Sequence, residues 1–151
     1  MLDIYIDADA CPVKQETYRV AARYNLSVTL VANCGMRTPN DHRIRLKVVG
    51  DALDAADDWI AQQVQPHDIV ITADIPLASR CLEKKARVIG PTGKPFTDET
   101  IGQALAMREL MADLRGMGEF GGGPPPFDKR DRSQFLQKLD ETIQAILREH
   151  G

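Results

Sequence analysis

From its first residues the chain alternates short β-prone runs with helical stretches, and this alternation limits the folds open to it more than any other feature. Leu2 to Asp7 is a short apolar run ending in acids, and Pro12 stands at a first helical position, where its missing N–H is not needed. The helix is predicted to run from about Pro12 to Tyr24, and Leu26 to Ala32 is again apolar and β-rich. A strand–helix–strand opening favours a parallel sheet, because a parallel connection needs a crossover of about that length.

The remainder extends the pattern. Asn33 to His42, with Gly35 and Pro39, reads as a loop. Arg43 to Val49 alternates, with Arg43, Arg45 and Lys47 on one side and Ile44, Leu46 and Val48 on the other, as expected of a strand at a sheet edge. Leu53 to about Gln65 is predicted helical, Asp68 to Thr72 a short buried strand, Ile75 to Lys85 helical, and Ala86 to Ile89 a last strand. The expectation is a three-layer α/β fold, with a mainly parallel, doubly wound central sheet of about five strands over a core of about residues 1–115.

Two extra helices follow. Thr97 can cap a helix that carries Asp98 and Glu99 in its first turn and continues through Ile101, Leu105, Leu110, Met111 and Leu114 to a stop at Gly116. Residues 116–130 contain Gly-Gly-Gly-Pro-Pro-Pro and read as a loop, without the Lys-Ser/Thr ending of a phosphate loop. Across residues 131–150, Phe135, Leu136, Leu139, Ile143, Ile146 and Leu147 recur at helical spacing. That stripe must cover apolar surface, either on this domain or on a second copy, so a homodimer through this helix is one expectation.

Composition narrows the function. The 151 residues suffice for one domain with a real core, and an apolar share of 43% beside a charged share of 27% is that of a soluble globular chain. No apolar run approaches the roughly 20 residues of a membrane helix, and Met1-Leu2-Asp3-Ile4 lacks a signal-peptide layout, so the cytoplasm and no membrane partner are expected. Cys11, Cys34 and Cys81 form no Cys-x-x-Cys pair and suggest neither a disulfide frame nor a zinc site. His42, His67 and His150 show no metal-binding spacing. A formal net charge of −3 argues against a surface built to wrap nucleic acid on all sides, and leaves local basic patches open.

Acids at strand ends carry the chemistry, because ligands of open α/β sheets settle beyond the carboxyl ends of strands, where strand order reverses. Strand one ends in Ile6-Asp7-Ala8-Asp9, where alternation puts Asp7 and Asp9 on one side, and strand four in Thr72-Ala73-Asp74. On the helix between them, Leu53, Ala56, Ile60 and Val64 form the inward stripe, and at about 100° per residue Asp57 projects within it, Asp54 flanks it and Asp58 turns outward. For Asp58, acid preference in a helix's first turn is explanation enough. A buried Asp57 must instead meet a cation, gain hydrogen bonds or be protonated, while Asp7 and Asp74 are weighed against capping of the helices that follow. Carboxylates Asp7, Asp9, Asp54, Asp57 and Asp74 around one pocket, with no matching histidines, suit Mg²⁺ or Mn²⁺ completed by substrate phosphate.

The segments Asp7-Ala-Asp-Ala-Cys-Pro-Val-Lys14, Asp54-Ala-Ala-Asp57 and Ile71-Thr-Ala-Asp-Ile-Pro-Leu-Ala78 together resemble the YaiI/YqxD family of bacterial proteins, as do Ala106-Met-Arg-Glu-Leu-Met111, Gly122-Gly-Pro124 and Asp131-Arg132. That family in turn resembles PIN-like domains, whose hallmark is acids after strand one, on a middle helix and in a Thr-x-Asp after a central strand; Asp7, Asp57 and Asp74 match these in order. The resemblance implies a PIN-like, Rossmann-like fold and a metal-dependent endoribonuclease site with Asp7, Asp57 and Asp74 as its catalytic acids. Lys14, Arg37, Lys94, Arg108 and Arg132 are candidates for holding an RNA backbone, Lys14 through a helix N-terminus that itself attracts anions.

Three other readings compete. Asp7-Ala-Asp9-Ala-Cys11 resembles the nucleophile motif of haloacid-dehalogenase-like phosphatases, with Asp7 attacking phosphate. There, however, the acidic motif follows the second motif, whereas Gly50-Asp51 to Asp57 precedes Ile69-Val-Ile-Thr72. A cysteine phosphatase on Cys11 would need an arginine where Thr17 stands. An RNA-binding or interaction module without catalysis is the third, consistent with an acidic chain of few aromatics.

Overall fold

A computed structural model describes residues 2–8, 11–50, 52, 54–103, 106–107 and 127–150. The elements run β1 (Asp3–Asp7), α1 (Lys14–Tyr24), β2 (Ser27–Ala32), β3 (Ile44–Val48), α2 (Ala55–Gln63), β4 (Ile69–Ile71), α3 (Ile75–Glu83), β5 (Arg87–Ile89) and β6 (Pro95–Phe96). Helical residues 98–103 and 106–107 follow as α4, and α5 (Lys129–His150) ends the chain. Asp9, Leu53, Leu105, Arg108, Leu110, Met111, Leu114 and the Gly/Pro-rich stretch lie outside the described residues.

One sheet of order β3-β2-β1-β4-β5-β6 organises the molecule, parallel throughout except for β6. The chain winds outward from β1 through β2 to β3, then crosses back to β4 and winds the other way. The order therefore reverses between β1 and β4, and a crevice opens there at the strands' carboxyl ends. β3 is the edge expected from its alternation, with Ile44 and Leu46 half-buried and Arg45 and Lys47 exposed. Val48, placed by the alternation on the covered side, is 46% exposed because the cover ends before it.

Period-two alternation sorts side chains between the two helical layers. Ile4 and Ile6 of β1 join Val28, Leu30, Ile69 and Ile71 beneath α1 and α5. On the other face, Tyr5 and Val70 pack with Ala56, Ile60, Leu77 and Cys81 of α2 and α3. By the same alternation Asp7 shares the face of Tyr5, and Thr72 that of Val70, so both turn toward α2. β4 is buried on both sides, which accounts for its unbroken Ile-Val-Ile.

α5 buries most of its apolar stripe within the chain, while Leu147 is exposed. Phe135, Leu139, Ile143 and Ile146 are buried against the sheet and α1, and Leu136 is half-buried beside them. The helix also begins at Lys129 rather than 131, because Asp128 and Asp131 form a reciprocal cap. The Asp131 N–H donates to Asp128 Oδ1 (3.0 Å), and the Asp128 N–H donates to Asp131 Oδ2 (3.1 Å).

The sixth strand was not expected. Pro95 and Phe96 pair antiparallel with Ile89 and Val88 after a tight turn in which the Gly90 N–H donates to the Lys94 carbonyl (2.9 Å). Two residues, one of them proline, carry no readable strand pattern. Gly93 in this turn has φ +90°, and a Cβ there would stand 2.8 Å from the Gln134 carbonyl carbon and oxygen of α5. Only glycine lets the turn and helix approach so closely.

Candidate active site

At the reversal of strand order, two of the expected acids are tied together through one hydroxyl. The Thr72 Oγ1–H donates to Asp7 Oδ2 (3.0 Å), and the Asp74 N–H donates to Thr72 Oγ1 (3.0 Å). Asp7 is the last residue of β1, and Asp74 follows β4 by three residues. Parallel pairing of β1 with β4, with Ile6 opposite Ile71, brings the two strand ends level. Asp74 also caps α3, where its Oδ1 accepts the Leu77 N–H at 2.8 Å. The capping role weighed against a functional one is thus present, and it occupies Oδ1 alone.

Asp57 completes the cluster from the opposite layer. It is half-buried between the buried Ala56 and Ile60 of α2. Its carboxyl is pushed up from an ordinary 3.8 to about 6, first by burial and then by the negative charges of Asp74, Asp7 and Asp54, with Arg80 pulling the other way. Three chain segments therefore bring negative groups within electrostatic reach of one another. Asp54 itself is exposed and holds a left-handed backbone (φ 63°), a strained conformation for a non-glycine residue, at the start of α2. Asp58 faces out and pairs with Arg80 at 2.8 Å.

The donor chemistry is that of a hard cation, since every member of the cluster offers carboxylate oxygen. Among the described residues no three His, Cys, Asp or Glu side chains are spaced to hold a metal ion, and Asp9 lies outside them. Of the five aspartates expected around one pocket, Asp7, Asp57 and Asp74 come within electrostatic reach of one another, with one oxygen of Asp74 capping α3 and one of Asp7 accepting the Thr72 hydroxyl. An octahedral Mg²⁺ commonly takes only one or two protein carboxylates, with water and phosphate filling the other positions, so an open cluster fits it.

The basic candidates are distributed unevenly. Lys14 opens α1 beside the cluster. It and Asp7 both act on the Cys11 thiol, which burial raises above its ordinary value, which Lys14 lowers and which Asp7 raises. A thiol held protonated is a poor nucleophile, in keeping with the rejection of Cys11 chemistry. Lys94 is exposed on the β5–β6 turn and lines a cavity shared with Ala73 and Ile75, the neighbours of Asp74. Arg37 is exposed on the loop leaving β2. Arg132 has partners within the chain: its Nη1 donates to the Pro12 carbonyl (2.8 Å) and to both oxygens of Glu16 (3.1 and 3.2 Å), and its guanidinium lies 4.8 Å from the Phe127 ring. It joins α1 to α5, because buried Glu16 needs a cation, while the Arg132 side chain stays 46% exposed. Arg108 lies outside the described residues.

Thr72 entered the sequence reading only within motifs, the Thr-x-Asp among them, and Arg80 not at all. Thr72 bridges Asp7 and Asp74, and its signal was its place two residues before Asp74. Arg80, the cation that opposes the repulsion on Asp57, lies on α3, and nothing in the sequence marked it as facing α2.

Comparison with known proteins gives a consistent result. A family model described as "Uncharacterized BCR, YaiI/YqxD family" matches residues 5–145. Similar proteins carrying the name UPF0178 protein include one from Rhodopseudomonas palustris (strain TIE-1), 58% identical over 145 residues, which cover 96% of this chain and 92% of that one. Another, from Rhodospirillum centenum (strain ATCC 51521 / SW), is 57% identical over 152 residues, covering 98% and 99%. A third, from Bradyrhizobium sp. (strain ORS 278), is 55% identical over 150 residues, covering 99% and 92%. No solved structure matches the chain.

Proposed function

This chain belongs to the YaiI/YqxD family, and for it we propose a divalent-metal-dependent nuclease that hydrolyses RNA phosphodiesters at Asp7, Asp57 and Asp74. The observation that carries this is the meeting of Asp7 and Asp74 through Thr72 at the point where strand order reverses, with Asp57 of α2 near enough to feel both charges. Carboxylates held within reach of one another repel, and a cluster of that kind at strand ends is a candidate for receiving positive charge. The PIN-like resemblance of the same three positions supports the reading, as does the absence of histidine among the coupled groups.

Mg²⁺ or Mn²⁺ bound here would lower the pKa of a water and neutralise charge on the phosphate. The remaining work falls to the chain. Thr72 fixes one Asp7 oxygen and so aims the other, while the α3 cap does the same for Asp74. Asp57, pushed up to about 6 by burial and by the neighbouring acids in the metal-free protein, is the carboxyl whose ionisation an arriving cation would favour most. Lys14, at the N-terminus of α1, supplies positive charge on the same side for a phosphate backbone.

The test incubates structured and single-stranded RNAs and DNAs with the protein and Mn²⁺, alongside Asp57→Asn. The expected result is RNA cleavage that requires Mn²⁺ and disappears in the variant. Cleavage that survives the substitution, or a melting temperature indifferent to Mn²⁺, would point away from hydrolysis at this cluster.

A further inference from the structure

Next to the aspartates lies a cavity that the proposed chemistry does not use. Its volume is about 700 Å³, within the range of roughly 300–1,000 Å³ typical of small-molecule sites. Ala73 and Ile75 form the wall it shares with Asp74, Pro12 borders it from the start of α1, and Gly90 and Pro91 border it from the end of β5. It therefore opens at the same end of the sheet as the cluster, one residue to either side of Asp74.

The lining has two characters. Phe96 and Phe127 provide aromatic surface from β6 and from the approach to α5, while Lys94, Thr92, Thr100 and Gln103 provide polar groups around it. Phe96 is half-buried against the core below, and Phe127 is half-buried against α5 with the Arg132 guanidinium 4.8 Å from its ring, so each ring keeps part of its surface exposed. Flat aromatic surface, amide and hydroxyl groups and the Lys94 ammonium match the face, edge and phosphate of a nucleotide. A paired base inside a duplex cannot enter such a recess, whereas an unstacked one can.

We infer that this cavity is a nucleobase pocket, taking one unpaired base of single-stranded RNA on Phe96 and Phe127 while Lys94 holds a neighbouring phosphate and the adjoining phosphodiester lies over the aspartates. The assignment presupposes the nuclease reading for its placement of the scissile bond, but base binding can be measured independently of cleavage. It also makes the enzyme selective for single strands, loops and ends.

The probe is a short fluorescein-labelled oligoadenylate and the same strand with one central abasic site, titrated by anisotropy with Ca²⁺ replacing Mn²⁺ to keep the strand intact. The intact strand is expected to bind about 5- to 100-fold more tightly than the abasic one. Phe127→Leu should bring the two to near equality, and Gln103→Trp, at an exposed position of α4, should do so by filling the recess without touching the core. Thermal unfolding checks that each variant folds, and Gln103→Trp decides the matter should Phe127→Leu fail to. Equal binding of the two strands by the native protein, or a preference that persists in a folded variant, would overturn the pocket. Cleavage in Mn²⁺ without base preference would leave the nuclease standing and remove the pocket; base preference without cleavage would do the reverse.

Discussion

Acids on the two faces of the sheet stand in contrasting company. Beneath α1 and α5, Glu16 receives the Arg132 guanidinium, and Asp140 accepts from Arg23 (3.1 Å), the Tyr24 hydroxyl (2.6 Å) and Gln144 (3.0 Å). Beneath α2 and α3, Asp57 faces Asp74 and Asp7, with Arg80 as the counter-charge that acts on it, and Arg80 is itself paired to Asp58. The first arrangement joins helices, and losing a partner would only weaken the fold. The second raises the Asp57 carboxyl instead of joining helices, as expected of the cluster proposed to receive a cation.

Activity should separate the two faces most sharply. Asp7→Asn is expected to lower Mn²⁺-dependent RNA cleavage by at least about 100-fold, since substitutions even one step outside a metal's ligands cost 10- to 100-fold, whereas Asp140→Asn should leave the rate within about 2-fold. A cleavage assay under single-turnover conditions reads both, and equal losses would erase the contrast.

Stability gives the next effects in size. Gly93→Ala forces a Cβ against the Gln134 backbone at a positive φ and should cost about 2–4 kcal/mol in urea unfolding. It tests how tightly α5 is seated on the paired face. Arg132→Met keeps much of the packing over Phe127 but strands Glu16, at a cost of about 2 kcal/mol, less than for a fully buried pair because the Arg132 side chain is 46% exposed. Adding Glu16→Gln to that variant should recover part of the loss.

On the crowded face the sign is opposite. An acid with a pKa of about 6 when folded and an ordinary 3.8 when unfolded binds its proton more tightly in the folded state. Its contribution to stability is therefore complete below about pH 4 and is lost as pH rises through 6. Asp57→Asn should raise the stability of the metal-free protein at pH 8 by about 1 kcal/mol, a figure reduced for solvent screening of a half-exposed group, and change it little at pH 4. Calorimetric scans at the two pH values check this; destabilisation at pH 8 would mean that Asp57 is satisfied by partners rather than crowded.

Much of this architecture was legible before any coordinates. The βαβ opening announced a parallel sheet, strict alternation marked β3 as an edge, and a continuous Ile-Val-Ile marked β4 as buried on both faces. Asp7 and Asp74 could be found because strand ends are readable from where apolar runs stop, and Asp57 because 3.6-residue periodicity assigns a helix face. β6 escaped notice because two residues have no period. The role of Arg132 escaped because a basic residue after a loop looks the same whether it meets phosphate or a buried Glu16.

The amino-acid order by itself determined the elements, their alternation and the candidacy of three aspartates, since propensity and periodicity act over a few neighbours. Tertiary structure alone decided that Thr72 would bridge two of those acids, that Arg132 would pair with Glu16, that α5 would pack on its own sheet, and that Phe96 and Phe127 would line one cavity beside Asp74. Each of these joins residues far apart in the chain, and which distant groups meet is set by how strands order themselves in the sheet, a property that no local window contains.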